Sequence, residues 1–351
     1  MSIYLDHNAT SPARPAVIAA VGGAMQMHGN ASSVHAAGRS ARALVEDARN
    51  AVAALFGVQS KQVIFTSGAT EANNTVLKSF TGRILTSSIE HPSIMESVKA
   101  DRIPVLSSGI IDINALETMI AGVALVSVMW VNNETGVIQP VEKIAALCKQ
   151  HNVKFHCDAV QAAGRIPVSL IADYVTVSAH KMAGPMGAGA IIVDTKAPPV
   201  KLIHGGGQER RQRAGTENVA AIAGFGVAAS LAHAGEFAKL GALRDRIESE
   251  IPGITVFGKD CPRVANTTCF ALPGVLADTQ LMALDLAGIC VSSGSACSSG
   301  SVKPSHVLDA MGIDASLATC ALRVSLGWNT TASDVDTFIA TYKRLSASWQ
   351  K

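Results

Sequence analysis

A lysine does covalent chemistry only when its amine is neutral, and the segment Val177-Ser178-Ala179-His180-Lys181 offers a way to arrange that. It closes an apolar run and leads into the turn Gly184-Pro185-Met186-Gly187-Ala188-Gly189. Held at a strand end beside a hydroxyl and an imidazole, the amine can be desolvated until its pKa falls into the range where it attacks carbonyl carbons. That is the requirement for a Schiff base; a surface lysine with its head in water is the alternative. Upstream, Thr66-Ser67-Gly68-Ala69-Thr70-Glu71 follows an apolar run and opens a helical pattern. Free backbone N–H groups and the positive end of the helix dipole would hold a phosphate there, with Gly68 allowing close approach and Thr70 adding a hydroxyl. The same threonine would serve as a plain helix cap. In Phe155-His156-Cys157-Asp158-Ala159-Val160-Gln161, Asp158 ends an apolar strand, where an unpaired carboxylate is costly. It is expected to meet a cation such as a protonated pyridine nitrogen, although a helix cap or a nearby arginine fits this segment equally well.

Residues of this kind need a scaffold that presents strand ends. Apolar runs at 62–66, 83–87, 102–106, 124–131, 153–158 and 174–178 read as strands, and the stretches 71–78, 93–99, 114–120 and 141–150 between them read as helices. Strand and helix in alternation implies crossover units, hence an α/β fold with a mostly parallel sheet and ligands at the carboxyl ends of its strands. Past Val193 the pattern changes: a Pro-, Gly- and Arg-rich loop at 197–215 leads into an Ala-rich helical region reaching about residue 250. Strands at 266–271, 289–292 and 321–325, with helices at 279–286, 305–311 and 333–346, then suggest a smaller α+β domain.

Composition narrows the class of protein. A chain of 351 residues with 48% hydrophobic and 16% charged residues can bury a large core in two domains and still cover a subunit interface. The net charge of +2 comes without long runs of either sign, so no nucleic-acid partner is expected. Residues 218–235 carry no Asp, Glu, Lys or Arg, but their Ala and Gly content suits a close-packed buried helix better than a membrane span. No basic segment followed by an apolar stretch opens the sequence, which makes cytoplasmic residence the expectation. Seven cysteines, an odd number without any C-x-x-C pair, argue against a disulfide framework and a structural zinc site. Most should be inert core residues. Cys297 differs, because Ser292-Ser293-Gly294-Ser295-Ala296-Cys297-Ser298-Ser299-Gly300-Ser301 has no large apolar anchor and is expected to be an exposed loop.

Taken in order, these segments resemble the cysteine desulfurases of iron–sulfur cluster assembly and nitrogen fixation, within the class V aminotransferase group of fold type I pyridoxal-phosphate enzymes. The resemblance runs from Tyr4-Leu5-Asp6-His7-Asn8-Ala9-Thr10 through Gly29-Asn30-Ala31-Ser32-Ser33, Asn132-Asn133-Glu134-Thr135-Gly136 and Arg213-Ala214-Gly215-Thr216 to Arg323-Val324-Ser325-Leu326-Gly327. It implies a large domain with a seven-stranded-type sheet over 14–225, a small α+β domain over 226–351 that carries the cysteine loop, and residues 1–13 as an arm joining the small domain. By the same resemblance Lys181 carries pyridoxal 5′-phosphate, Asp158 pairs with its ring nitrogen, and Gln161 and Asn133 bond near its phenolic oxygen. Ala69, Thr70, Ser178 and His180 would hold the phosphate, with Thr216 reaching it from the second subunit of a homodimer. His91 would stack on the ring, Arg323 and Asn133 would bind the substrate, and Cys297 would take the sulfur of L-cysteine for a sulfur-acceptor or iron–sulfur scaffold protein.

Two departures stand out. Met186 occupies a turn position where many relatives have Lys, and the sequence ends at Lys351 without the longer tail some of them carry, which puts tail-dependent scaffold docking in doubt. Selenocysteine lyase is the nearest alternative activity. A nicotinamide dehydrogenase would share the alternating pattern, but no G-x-G-x-x-G follows the first strand. A non-enzymatic sulfur or iron carrier is opposed by the scatter of the cysteines.

Overall fold

The computed structural model describes residues 2–293 and 305–349. Its centre is a seven-stranded sheet in the order Val63–Thr66, Gly189–Val193, Tyr174–Ser178, Lys154–Asp158, Val123–Met129, Arg83–Ser87 and Asp101–Ile103. Gly189–Val193 runs antiparallel to both its neighbours, and the other strand pairs are parallel. Alternate residues face opposite sides, as the twofold period of a strand requires. Val63, Phe65, Ala190, Ile192, Val175 and Val177 join one apolar cluster, while Ile64, Ile191, Val193 and Tyr174 join another on the opposite face. The first cluster is closed by the 21-residue helix Ala36–Phe56 and by Val219–Ser230, which lies against it. Gly226 makes that packing close: a Cβ there would stand 2.5 Å from the Ala48 backbone.

A second sheet, Ser292–Ser293, Ala321–Ser325, Thr267–Ala271 and Thr255–Val256, is antiparallel throughout. Its core joins Phe270, Leu322 and Val324 to Val335, Phe338 and Tyr342 of the helix Ala332–Trp349, and Leu5 from the chain start belongs to it. Ile3–Tyr4 pairs in parallel with Ile289–Cys290.

The expected elements differ from these in several places. The strand Gly189–Val193 and the helices Pro15–Met25 and Ala36–Phe56 were not foreseen. The helix expected at 93–99 is only Pro92–Met95, because the Ser97 hydroxyl and amide both turn back on the Ile94 carbonyl. The Ala-rich region is three helices, Val219–Ser230, Ala234–Ala238 and Gly241–Glu250, with a 65° bend. Among the described residues no single helix is long and apolar enough to cross a membrane. The strand expected at 289–292 is two short ones in different sheets.

Candidate active site

Asp158 and Ser178 end neighbouring strands, and Thr66 ends a strand parallel to them on the far side of Gly189–Val193, so the three strands close at the same end of the large sheet. Lys181 follows Ser178 within a single 3-10 turn, closed by Ala183 in the left-handed region at φ 58°. Its Nζ donates to the backbone oxygens of Asn8 at 2.5 Å and Ala9 at 2.7 Å. Desolvation, and then the cations Arg165 and Arg323, pull the amine down to about 7 against the opposing pull of Asp6 and Asp158. Half its population is then neutral near pH 7, the state a Schiff-base lysine needs.

Asp158 is 5% exposed. Its carboxylate accepts from the Val160 amide at 2.9 Å and from Asn73 Nδ2 at 2.8 Å, both neutral donors. Burial raises its pKa, and these two bonds oppose the rise. Asn73 is held in one orientation, since Thr176 Oγ1 donates to its Oδ1 at 2.6 Å and its Nδ2 also reaches Ser93 Oγ at 2.9 Å. Thr176 therefore accepts from His156 Nε2, and the His156 Nδ1 faces Ser127 Oγ at 2.8 Å. His156 is buried and held down at about 3, so this ring stays neutral. The line continues outward: Ser93 Oγ lies 2.9 Å from His91 Nδ1, which also accepts the Ser93 amide. His91 itself is exposed. One chain of hydrogen bonds thus runs from the sheet interior past Asp158 to His91.

Ala69 and Thr70 open the helix Ala69–Lys78, with Gly68 at its N-cap. The turn is pressed against the sheet: a Cβ on Gly189 would come within 2.7 Å of the Gly68 backbone, so glycine is required there. His180 Nδ1 lies 3.2 Å from Thr10 Oγ1, and burial holds the ring down at about 4. Gln161 Nε2 donates to the Asn8 carbonyl at 3.0 Å while its Oε1 receives Arg165.

Arg323 lies in the middle of Ala321–Ser325, its Nη2 2.7 Å from Asp6 Oδ1 and its Nη1 3.2 Å from the Asn133 carbonyl. Among the described residues its Nε is buried without a partner. Asn133 sits in a turn fixed by Asn132 Oδ1, which accepts from the Glu134 and Thr135 amides. Thr216 is exposed on the loop after Arg213, and Arg213 is anchored to Glu71 at 2.9 Å. Cys297 lies outside the described residues. On either side of that segment, Ser292 is in register with Arg323, while Ser305 Oγ donates to Glu134 Oε2 at 2.5 Å and His306 Nε2 donates to the Glu90 carbonyl at 2.9 Å. Cys148, Cys157, Cys269 and Cys320 are buried, as expected, and Cys290 is half-buried.

Sequence reasoning missed Asn8, Asn73, Ser93, Thr176 and Arg165. Asn73 alone carried a signal, as a polar residue on the helix face shared with Ala72, Val76 and Leu77.

A desolvated lysine, a buried carboxylate paired only with neutral donors and a helix N-terminus crowded onto the sheet define an enzyme that carries a phosphorylated carbonyl cofactor. The aminotransferase class-V family model matches residues 3–338. Cysteine desulfurases from Cereibacter sphaeroides and, named IscS-like, from Mycobacterium tuberculosis are 42% and 39% identical, each over 95% of this chain and 93% of its own length. The NifS-like protein of Rickettsia africae superposes with a TM-score of 0.92 at 36% identity, covering 99% of this chain and 100% of its own. The chain therefore belongs to the class-V aminotransferase family, among its cysteine desulfurases, and its cofactor is pyridoxal 5′-phosphate.

Proposed function

We propose that this cysteine desulfurase draws sulfur from L-cysteine onto Cys297 and releases L-alanine, with Lys181 as the cofactor-bearing lysine. The observation that carries the reading is the Lys181 amine, pulled down to about 7 and held by two carbonyl oxygens beside the strand that ends in Asp158. Bound here, pyridoxal phosphate supplies an aldehyde for the amine and a ring that withdraws electrons from the substrate's Cα. Asp158 would keep the ring nitrogen protonated. Ala69, Thr70, Ser178 and His180 would hold the phosphate, Gln161 and Asn133 would bond near the ring's phenolic oxygen, and His91 would stack on the ring.

Arg323 and the Asn133 turn would bind the substrate carboxylate, for which a planar guanidinium suits two parallel hydrogen bonds. Freed of the cofactor, Lys181 moves the proton at Cα. The Cys297 thiolate then bonds to the substrate sulfur, the carbon–sulfur bond breaks with its electron pair left on carbon, and protonation there yields the methyl group of alanine. Ser293, four residues before Cys297 in the sequence, belongs to the strand that pairs with the one that carries Arg323. A relative of 28% identity, named SspA, was solved in complex with cysteine, which supports this substrate.

The division into residues 1–13, 14–225 and 226–351 belongs to the same proposal, supported by separate apolar clusters in the two sheets. So does a homodimer with Thr216 completing the second subunit's phosphate site. Ile18 and Met25, seven residues apart on one face of Pro15–Met25, are 61% and 73% exposed and suit such an interface. The persulfide would pass to a sulfur-acceptor or iron–sulfur scaffold protein in the cytoplasm, where unpaired cysteines persist. The test is Cys297→Ser, which should bind cysteine with a change in cofactor absorbance yet form no persulfide and almost no alanine. Alanine at the wild-type rate would remove Cys297 from the mechanism.

A further inference from the structure

Arg165 is 3% exposed and, among the described residues, touches no carboxylate. Its hydrogen-bond partners are neutral: Nη1 donates to Asn8 Oδ1 at 2.8 Å and to Gln161 Oε1, and Nη2 donates to the His7 carbonyl at 3.3 Å. Among the described residues its Nε is buried without a partner. A buried charge normally costs several kcal/mol unless an opposite charge compensates it. Its acceptors, Asn8 Oδ1, Gln161 Oε1 and the His7 carbonyl, are all neutral and do not by themselves call for a full charge.

We propose that Arg165 is a positioning residue that sets the charge environment of the Lys181 amine and fixes the direction in which the Gln161 amide faces. The geometry supports both parts. Because Arg165 occupies Gln161 Oε1, the amide presents its Nε2 on the site side, where it now meets the Asn8 carbonyl. A donor presented on that side would suit an anionic ring oxygen of the bound cofactor. The same Asn8 carbonyl accepts Lys181 Nζ, so a single backbone oxygen joins the lysine to the arginine's network.

The groups that face Lys181 come from five directions. Arg165 lies on the turn after Lys154–Asp158, Arg323 on Ala321–Ser325, Asp6 on the N-terminal segment, Asp158 at its strand end, and two rings, His91 and His180, also act on it. Arg165 is the largest charged contributor lowering the amine, ahead of Arg323. Lys181 shares its surroundings with two arginines and two acids. Even burial leaves Arg165 at about 9, against about 7 for Lys181, so the lysine yields first. An uncompensated arginine is then a means of keeping the nucleophile neutral.

This inference rests on Lys181 as the cofactor-bearing residue. The test uses the cofactor-loaded enzyme without substrate, following its visible absorbance as a function of pH. Arg165→Met should raise the midpoint by about one unit or more, the scale of removing a close like charge, and should move the acidic limb of kcat/KM the same way. Arg165→Lys, which keeps the charge, should stay at the wild-type midpoint. Arg165→Gln, a neutral donor for Asn8, should shift like the Met variant and serves in its place if that protein does not fold. A folded, loaded Met or Gln variant with an unmoved midpoint overturns the proposal, as does a Lys variant shifted as far as the neutral ones. Borohydride reduction and peptide mapping of the wild-type enzyme keep the two readings apart. A label away from Lys181 overturns the lysine's role, whereas a Lys181 label with an unmoved midpoint overturns that of Arg165 alone.

Discussion

Replacing Asp158 by Asn removes one charge and nothing in volume, and the surrounding network makes the consequence calculable. An asparagine keeps one carbonyl oxygen, so its NH₂ must face either the Val160 amide or Asn73 Nδ2, both of which are donors. Turning Asn73 over does not help, because its Oδ1 already accepts Thr176 Oγ1 at 2.6 Å and its Nδ2 also serves Ser93. One buried donor is left unpaired, at about 1–3 kcal/mol. Loss of the charge opposite a protonated ring nitrogen adds about 2 kcal/mol or more. The sum, about 3–5 kcal/mol, corresponds to a loss of roughly a hundredfold to several thousandfold at 1.4 kcal/mol per tenfold.

The assay is two measurements on the same protein: cofactor affinity by absorbance titration, and kcat/KM for alanine release from cysteine. Together the two losses should reach that range, with the larger share in kcat/KM. A folded Asp158→Asn enzyme within threefold of wild type on both would show that the carboxylate meets no cation in the working enzyme. The hydrogen-bond line to His91 would then be structural.

Two other outcomes follow from the site. In cofactor-free protein, Lys181 should react with an amine-directed reagent with a midpoint near pH 7, the value its surroundings impose. An ordinary lysine would be neutral in only roughly one molecule in three thousand at that pH, so a midpoint near 10, read by peptide mass spectrometry, would refute the desolvated site. Because the folded value lies below the unfolded one, the Lys181 contribution to stability grows as pH rises from about 7 toward 10.5 and is lost as pH falls back through that window. For the subunit interface, sedimentation should show a dimer, and Thr216→Ala should weaken cofactor binding without dissociating it. Full activity in a diluted monomer would contradict a phosphate site shared between subunits.

The strand-end placement of Lys181 and Asp158 was legible in the sequence, because a Lys after Ser-Ala-His and an Asp at the close of Phe155-His156-Cys157 are both out of place in apolar runs. Elements with strong periodicity also read well, with Arg83–Ser87, Tyr174–Ser178, Val141–Gln150 and Ala321–Ser325 placed to the residue. The strand Gly189–Val193 did not, because it follows a Gly-rich turn and its reversed direction depends on sheet neighbours. The same limit divides Ile289–Cys290 from Ser292–Ser293, whose partners lie at opposite ends of the chain. Arg165 was invisible for a different reason. Local sequence does not distinguish an arginine that snorkels from one that is buried; only the closure of residues 7 and 8 over it makes the difference.

That closure gives the N-terminal segment a larger part in the site than any helix. Within a few residues, Asp6 pairs with Arg323, the Asn8 side chain accepts Arg165, the Asn8 carbonyl takes both Lys181 and Gln161, and the Ser11 amide meets the His180 carbonyl. The same stretch is hydrogen-bonded to Ser325 through the His7 and Asn8 amides, and Trp328 Nε1 reaches the Pro12 carbonyl at 2.9 Å. The strand carrying Arg323 is thus tied through this segment to the oxygen that holds the lysine. If Arg323 takes the substrate carboxylate in place of Asp6, as proposed, the released aspartate would lie two residues along the chain from the acceptor of Lys181 Nζ. Substrate binding at Arg323 and the hold on the lysine would then meet in one short backbone segment.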